Sequence, residues 1–172
     1  MTKTQLIINL NEPAWEKHID DIETTSNNVV IAAFNYVNQH EDIDFLNIGK
    51  PIVINLCLSD DNEVQTLNRD FRNMDKPTNV LSFANIDDEN FDKNIELFDE
   101  IELGDIIIAL ETMQREAEEK NISLKDHFCH LLTHGILHLL GFDHIEDDEA
   151  EYMESFEVEI LKQLNIANPY EE

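Results

Sequence analysis

Five of the seven histidines in this chain lie between residues 127 and 144, and three of them have the spacing of metal ligands. His134 and His138 are four residues apart in a strongly helical segment, so their imidazoles project from one helix face, one turn apart. Gly141 then allows a left-handed turn that can return His144 towards the same point. The pattern predicts one zinc ion per chain, bound by His134, His138 and His144. Three ligands leave the fourth zinc position open for water, as in catalytic sites. Nickel and other divalent ions also suit imidazole, so the metal used in the cell stays open.

Three polar residues near the predicted ligands are assigned supporting roles. His130 is a rival ligand, but it precedes His138 by eight residues, a rise of about 12 Å along a helix. We therefore predict that His127 and His130 form hydrogen-bonded packing or support the ligands. Asp143 is predicted either to accept a hydrogen bond from a metal-bound imidazole or to cap the turn.

The formal net charge of -27 argues against unselective binding to nucleic acid, because polyanions repel. It favours a basic protein partner. The window from residue 66 to 86 is the exception, with three basic and two acidic residues and a net charge of +1, which leaves -28 for the rest. Arg69, Arg72 and Lys76 therefore mark the place where an anionic ligand is least repelled.

The elements that must position these residues follow from apolar periodicity and capping signals. Strands are predicted at Leu6–Leu10, Pro51–Leu58, Asn79–Ala84 and Gly104–Ala109. Helices are predicted from Ser26 or Asn27 to Gln39, from Asp60 onwards with Val64, Leu67 and Phe71 as a buried stripe, at Glu111–Lys120, from Ser123 to Leu140, and at Asp147–Asn165. The acidic segment Asp87–Glu102 is predicted to be a surface loop. Strands mixed with helices predict an α/β or α+β sheet packed by helices.

The 172 residues, 42% of them apolar, fit a single domain over residues 1–172. The N-terminus lacks the charged-then-apolar layout of an export signal, and the longest apolar runs are too short to span a bilayer. Cys57 and Cys129 lie in apolar, patterned segments and are predicted to be reduced core thiols. These features predict a cytoplasmic protein without a membrane partner.

Two stretches resemble the YbeY family of bacterial endoribonucleases, also called rRNA maturation factors. His134–His144 reads His-Gly-Ile-Leu-His-Leu-Leu-Gly-Phe-Asp-His, and Leu67–Phe83 contains Asp-Lys-Pro-Thr-Asn-Val-Leu-Ser-Phe. Leu103–Ile106 is similar to that family's strand before the metal helix. Phe71 and Phe142 stand where many relatives have tyrosine, and the high acidity is less typical. The resemblance covers roughly residues 51 to 166.

The resemblance implies a zincin-like α+β fold: a small mixed four-stranded sheet packed with helices, with the metal on the central helix. It implies zinc-dependent, single-strand-specific RNA cleavage in 16S rRNA 3′-end maturation, ribosome biogenesis and quality control. The implied partners are precursor small-subunit rRNA and the small ribosomal subunit with its basic proteins. By motif match the zinc ligands carry over to His134, His138 and His144, and the functional arginine carries over to Arg72.

The predicted mechanism is cleavage of an RNA phosphodiester. Arg72 offers paired donors to a phosphate whose charge grows in the transition state, and Lys76 steers the RNA backbone as a point charge. The alternative for both is a surface ion pair with Asp70 or Asp75. No general base is visible, so whether water or the RNA 2′-hydroxyl attacks stays open.

Two rival functions stay open at this point. A metalloprotease is supported by the histidine pair, but Gly135 stands where peptidases of the His-Glu-x-x-His type carry their glutamate. A non-catalytic ribosome-assembly factor with a structural zinc suits the acidity. A fourth protein ligand would favour that second alternative.

Overall fold

A computed structural model describes residues 3–171 of the chain. Four strands and seven α-helices are formed by these residues, and two 3-10 turns lie at Asp44–Asn47 and Asn85–Asp87. The strands are β1 (Thr4–Leu10), β2 (Ile52–Ser59), β3 (Val80–Ala84) and β4 (Ile101–Ala109). The helices are α1 (Trp15–His18), α2 (Ile22–His40), α3 (Asp61–Arg72), α4 (Phe91–Leu97), α5 (Leu110–Lys120), α6 (Leu124–Leu139) and α7 (Asp147–Gln163).

The strands form one mixed sheet in the order β1-β2-β4-β3. β1, β2 and β4 are parallel, and β3 lies antiparallel at the edge beside β4. β2 and β4 are dense apolar runs, as expected for parallel strands in the middle of a sheet. One face is only partly covered, because Glu102 and Asp105 of β4 are exposed. All four predicted strands are present within a few residues, and the predicted α+β class with a four-stranded mixed sheet is confirmed.

Helix α6 is the centre of the packing. It contacts α2, α5, α7, β3 and β4, and eleven of its sixteen residues are buried. Its N-terminus is capped as predicted, since the Ser123 side chain accepts a hydrogen bond from the backbone N–H of Asp126 at 3.1 Å. Trp15 and Phe128 meet edge to face in the core beneath it, with ring centroids 5.6 Å apart. Side chains on α6 are therefore held by contacts on most sides.

Three local predictions are wrong. The segment Asp87–Glu102 contains α4 and the start of β4, because Phe91 is buried against Phe45 and anchors a short helix. Helix α2 begins at Ile22 rather than at Ser26 or Asn27, after Asp21 in the left-handed conformation.

Phe71 is 66% exposed and does not belong to a buried stripe. Asn68 is buried instead, with its amide donating to the carbonyl of Lys76 at 2.9 Å, because the chain after α3 folds back against that position.

Cys129 is buried and Cys57 is half-buried, and both are free thiols. Cys129 lies in the core as predicted, whereas Cys57 lies at its margin. Among residues 3–171, no helix combines the length and apolar character needed to cross a membrane.

Candidate metal centre

The end of α6 brings three imidazoles together. The ring centroids of His134 and His138 are 4.5 Å apart, and that of His144 lies 5.4 and 4.9 Å from them respectively. The helix ends in a Schellman-type turn, in which Gly141 has a φ of 100° and the N–H of Phe142 donates to the carbonyl of Leu137 at 3.0 Å. This reversal returns His144 to the face that carries the other two rings.

The nitrogen atoms of this triad can hold a metal ion. One ring nitrogen from each histidine lies within 4.8 Å of the others, and Nε2 of His134 is 3.0 Å from Nε2 of His138. Tetrahedral zinc with bonds of 2.0–2.1 Å places its ligand atoms about 3.3 Å apart, which is close to the distance between His134 and His138. Among the described residues, no further imidazole, thiol or carboxylate joins this set.

The hydrogen bonds behind the rings determine which nitrogen faces the shared point. Nδ1 of His138 lies 3.0 Å from the carbonyl of Phe142, and Nδ1 of His134 lies 3.2 Å from Oε2 of Glu157. A carbonyl and an ionised carboxylate only accept hydrogen bonds, so each Nδ1 carries the hydrogen. In the neutral rings the two Nε2 lone pairs then face each other, and a cation between them relieves the repulsion.

The electrostatics of the triad also favour the neutral form of one ligand. Burial, together with the neighbouring His134, lowers the pKa of His138 to about 4. A metal ligand must be a neutral imidazole, so His138 is prepared to bind a metal at neutral pH.

Arg72, at the end of α3, faces the same groove as the triad. This groove has a volume of about 510 Å³ and is lined by Arg72, Ser82 and the three histidines among others. Nη2 of Arg72 donates to the carbonyl of Ser82 at 2.8 Å, and its guanidinium carbon lies 5.2 Å from the centre of the Phe83 ring. These contacts hold the guanidinium in place and leave further N–H groups for a ligand.

The alternative ion pairs of Arg72 do not form. Asp70 pairs with Arg69 at 3.2 Å, and Asp75 accepts a hydrogen bond from Gln65 at 3.0 Å. Within residues 3–171 no carboxylate forms an ion pair with Arg72. Its charge is therefore available to an anion.

The outer edge of β3 borders the groove, and two of its backbone groups are already bonded. The N–H of Ala109 donates to the carbonyl of Asn79 at 3.0 Å, so in the antiparallel pattern the groups of Val80 and Ser82 face away from β4. The Val80 N–H donates to the Asn79 side chain at 2.7 Å, and the Ser82 carbonyl accepts from Arg72. This edge is blocked at two points against pairing with another strand.

Comparisons with known proteins agree with the geometry. A family model described as Endoribonuclease YbeY matches residues 12–165. A protein of Paramagnetospirillum magneticum with that name is 40% identical over 173 residues, spanning 100% of this chain and 99% of its own length. The chain belongs to the YbeY endoribonuclease family. A Sphingopyxis alaskensis protein of the same name is 54% identical over 114 residues, 66% of this chain and 68% of its own.

A solved structure supports the fold. The solution structure of a Thermotoga maritima protein superimposes with a TM-score of 0.54 at 23% identity, and covers 94% of this chain and 92% of its own. At that identity the likeness concerns the fold alone.

The remaining predicted site residues of this YbeY family member lie as follows. Asp143 accepts a hydrogen bond from the backbone N–H of His144 at 2.8 Å, which is the turn-capping alternative. Lys76 is exposed and lies outside the lining of the groove. His127 and His130 are buried and bonded to carboxylates, as predicted, with Nε2 of His127 2.8 Å from Oε1 of Glu116.

Sequence reasoning missed Glu157, the carboxylate that reaches a ligand imidazole. It is fully buried on α7, among the apolar residues that face the core. Burial raises its pKa, but hydrogen bonds from His130 and His134 outweigh burial and hold that pKa at about 2. The sequence did contain a signal for this residue. Glu157 follows Phe156 and lies one turn after Met153, so a charged residue falls within the apolar stripe of the helix.

Proposed function

We propose that this chain is a zinc-dependent endoribonuclease that cleaves single-stranded RNA and acts in 3′-end maturation of 16S rRNA on the small ribosomal subunit. The relatives named Endoribonuclease YbeY support RNA as the substrate. The observation that carries the proposal is the convergence on one groove of three imidazoles and Arg72, which forms no ion pair with a carboxylate of residues 3–171. The proposal includes a single domain over residues 1–172, a cytoplasmic location, and a role in ribosome quality control.

The residues in and beside the groove have different roles. His134, His138 and His144 would hold zinc, which supplies a Lewis acid and lowers the pKa of bound water when present. Arg72 binds the phosphate, because its guanidinium is already oriented by Ser82 and Phe83 and need not reorganise as charge develops. Lys76, exposed beyond the groove, attracts the RNA backbone as a point charge.

The acidic surface supports the ribosomal partner. The formal net charge is -28 outside the window from residue 66 to 86. Most of the molecule therefore repels RNA and attracts basic proteins. RNA is therefore restricted to the groove, and basic proteins of the small subunit fit the remaining surface.

Two observations disfavour a metalloprotease. Gly135 replaces the expected glutamate, and the sheet leaves no room there, since a Cβ would lie 2.9 Å from Ile106 Cγ2. An extended peptide commonly binds by pairing with an exposed strand edge. Here two of the four outward backbone groups of Val80 and Ser82, the Val80 N–H and the Ser82 carbonyl, are occupied.

A structural zinc site is disfavoured by the ligand count. Structural sites are usually closed by four protein ligands, whereas the described residues supply three. The triad also faces a groove rather than the core, and His144 is exposed.

The decisive experiment combines metal analysis with cleavage assays on precursor small-subunit RNA and on an unstructured protein, before and after chelation. Arg72→Ala should lose about 100-fold or more in RNA cleavage, as for loss of a transition-state donor, with its zinc content unchanged. Arg69→Ala is the matched control, because Arg69 lies on the same helix and pairs with Asp70. Equal RNA cleavage by Arg72→Ala and wild type would remove Arg72 from the mechanism, and digestion of protein instead of RNA would refute the proposal.

A further inference from the structure

The carboxylate of Glu157 is held by three polar side chains. Its Oε1 accepts hydrogen bonds from Nε2 of His130 and from the hydroxyl of Tyr170, both at 2.7 Å. Its Oε2 accepts from Nδ1 of His134 at 3.2 Å. Because both oxygens have partners, the carboxylate cannot rotate without breaking a bond, and its orientation towards His134 is set by His130 and Tyr170.

Tyr170 reaches Glu157 from the C-terminal segment beyond α7. Asn165 is in the left-handed conformation with a φ of 62°, and the side chain of Asn168 accepts from the backbone N–H of Tyr170 at 2.8 Å. The Tyr170 and His130 rings meet edge to face, with centroids 5.4 Å apart. The family match ends at residue 165, so this contact lies outside the part that the family model describes.

The tyrosine also belongs to the surroundings of the triad. Tyr170 and Glu157 line a cavity of about 290 Å³ together with His134 and His144. Partial burial and the charge of Glu157 raise the pKa of Tyr170, so its hydroxyl remains a donor over the neutral range. A buried carboxylate needs such donors, because an unsatisfied charge in the interior is strongly unfavourable.

We propose that Tyr170 and His130 hold Glu157 so that it fixes the tautomer and ring orientation of His134, which makes the C-terminal segment part of the metal site. The inference rests on the proposed function, since it concerns the same three ligands. Glu157, His130 and Tyr170 are positioning residues that act through His134. Loss of such a partner typically lowers metal affinity by about 10–100-fold.

The test is the zinc Kd of metal-free protein, measured by competition with a chromophoric chelator. Tyr170→Phe should raise the zinc Kd about 10-fold, and Glu157→Gln by up to about 100-fold. Tyr152→Phe is the matched control, because its hydroxyl bonds to Glu41, a carboxylate that does not contact the triad. Its zinc Kd should equal that of wild type.

Two further measurements separate positioning from a purely structural role. The visible spectrum of bound Co²⁺ should change in Tyr170→Phe, because the orientation of His134 changes. A lower urea midpoint of metal-free Tyr170→Phe with an unaltered zinc Kd would overturn the proposal. Tyr170→Phe removes one oxygen from a residue that is 46% exposed, so it provides the test even where Glu157→Gln does not fold.

The outcome is independent of RNA cleavage. If wild type binds zinc and Tyr170→Phe weakens that binding, the inference stands even when no RNA is cleaved, and the proposed function alone fails. If cleavage requires zinc but Tyr170→Phe binds zinc as wild type does, the inference alone fails.

Discussion

Replacing Gly135 by alanine tests how closely the metal helix lies on the sheet. The added Cβ would be 2.9 and 3.1 Å from two carbons of Ile106 and 3.2 Å from Oγ of Ser82. Carbon atoms in contact prefer about 3.5–4.0 Å, and Ile106 is fully buried and cannot move away freely. Overpacking of this kind lowers stability by about 1–3 kcal/mol. Alanine recovers about 1 kcal/mol through helix propensity, so a net loss of about 1 kcal/mol is expected.

The measurement is the free energy of unfolding from urea titration of metal-free protein. The reference for helix propensity is Glu151, exposed inside α7, where alanine should be more stable than glycine by about 1 kcal/mol. The difference between the two sites then isolates the contact with Ile106. In an Ile106→Ala background the penalty at Gly135 should disappear, since coupled neighbours are not additive. The close approach of α6 to Ile106 would be refuted if Gly135→Ala stabilised the protein as much as alanine does relative to glycine at position 151.

Three other predictions follow from the same structure. Burial raises the pKa of Cys57 and Cys129 to about 12, so iodoacetamide at pH 8 should label native protein much more slowly than urea-unfolded protein, and equal rates would contradict this. The pKa of His138 is about 4 in the folded, metal-free protein and about 6.5 when unfolded, so only the unfolded state gains a proton between these values. Stability should therefore fall as pH drops from 6.5 to 4, and the urea midpoint of His138→Asn should fall less steeply than that of wild type. Parallel curves of urea midpoint against pH for the two proteins would exclude His138 as the cause. Zinc at 100 times its Kd should stabilise the protein by about 2.7 kcal/mol, so chelation should lower Tm in scanning calorimetry, and an unchanged Tm would argue against the site.

Much of the candidate site could be predicted because its geometry is local. The spacing of His134 and His138 follows from the helical period, and the return of His144 follows from a glycine at the helix end. The apolar runs likewise predicted four strands, since a buried strand must be apolar whichever strands it pairs with.

The errors arose where distant segments meet. The acidic segment from residue 87 to 102 was predicted to be a loop because the sequence does not show that Phe91 packs against Phe45. Phe71 fitted a buried helical stripe, but the chain after α3 covers Asn68 instead. Periodicity describes one element at a time and does not show what covers its faces.

The sequence by itself determined that three imidazoles can converge on one cation, because the helix and turn that carry them span eleven residues. Only the tertiary structure decided what surrounds that cation. Glu157 lies 23 residues from His134 and reaches it through the packing of α7 on α6. Arg72 lies on α3 and reaches the groove beside the triad because α3 packs on β3 and β4. Such contacts depend on the relative positions of whole elements, which are set by the complete core and not by any local pattern.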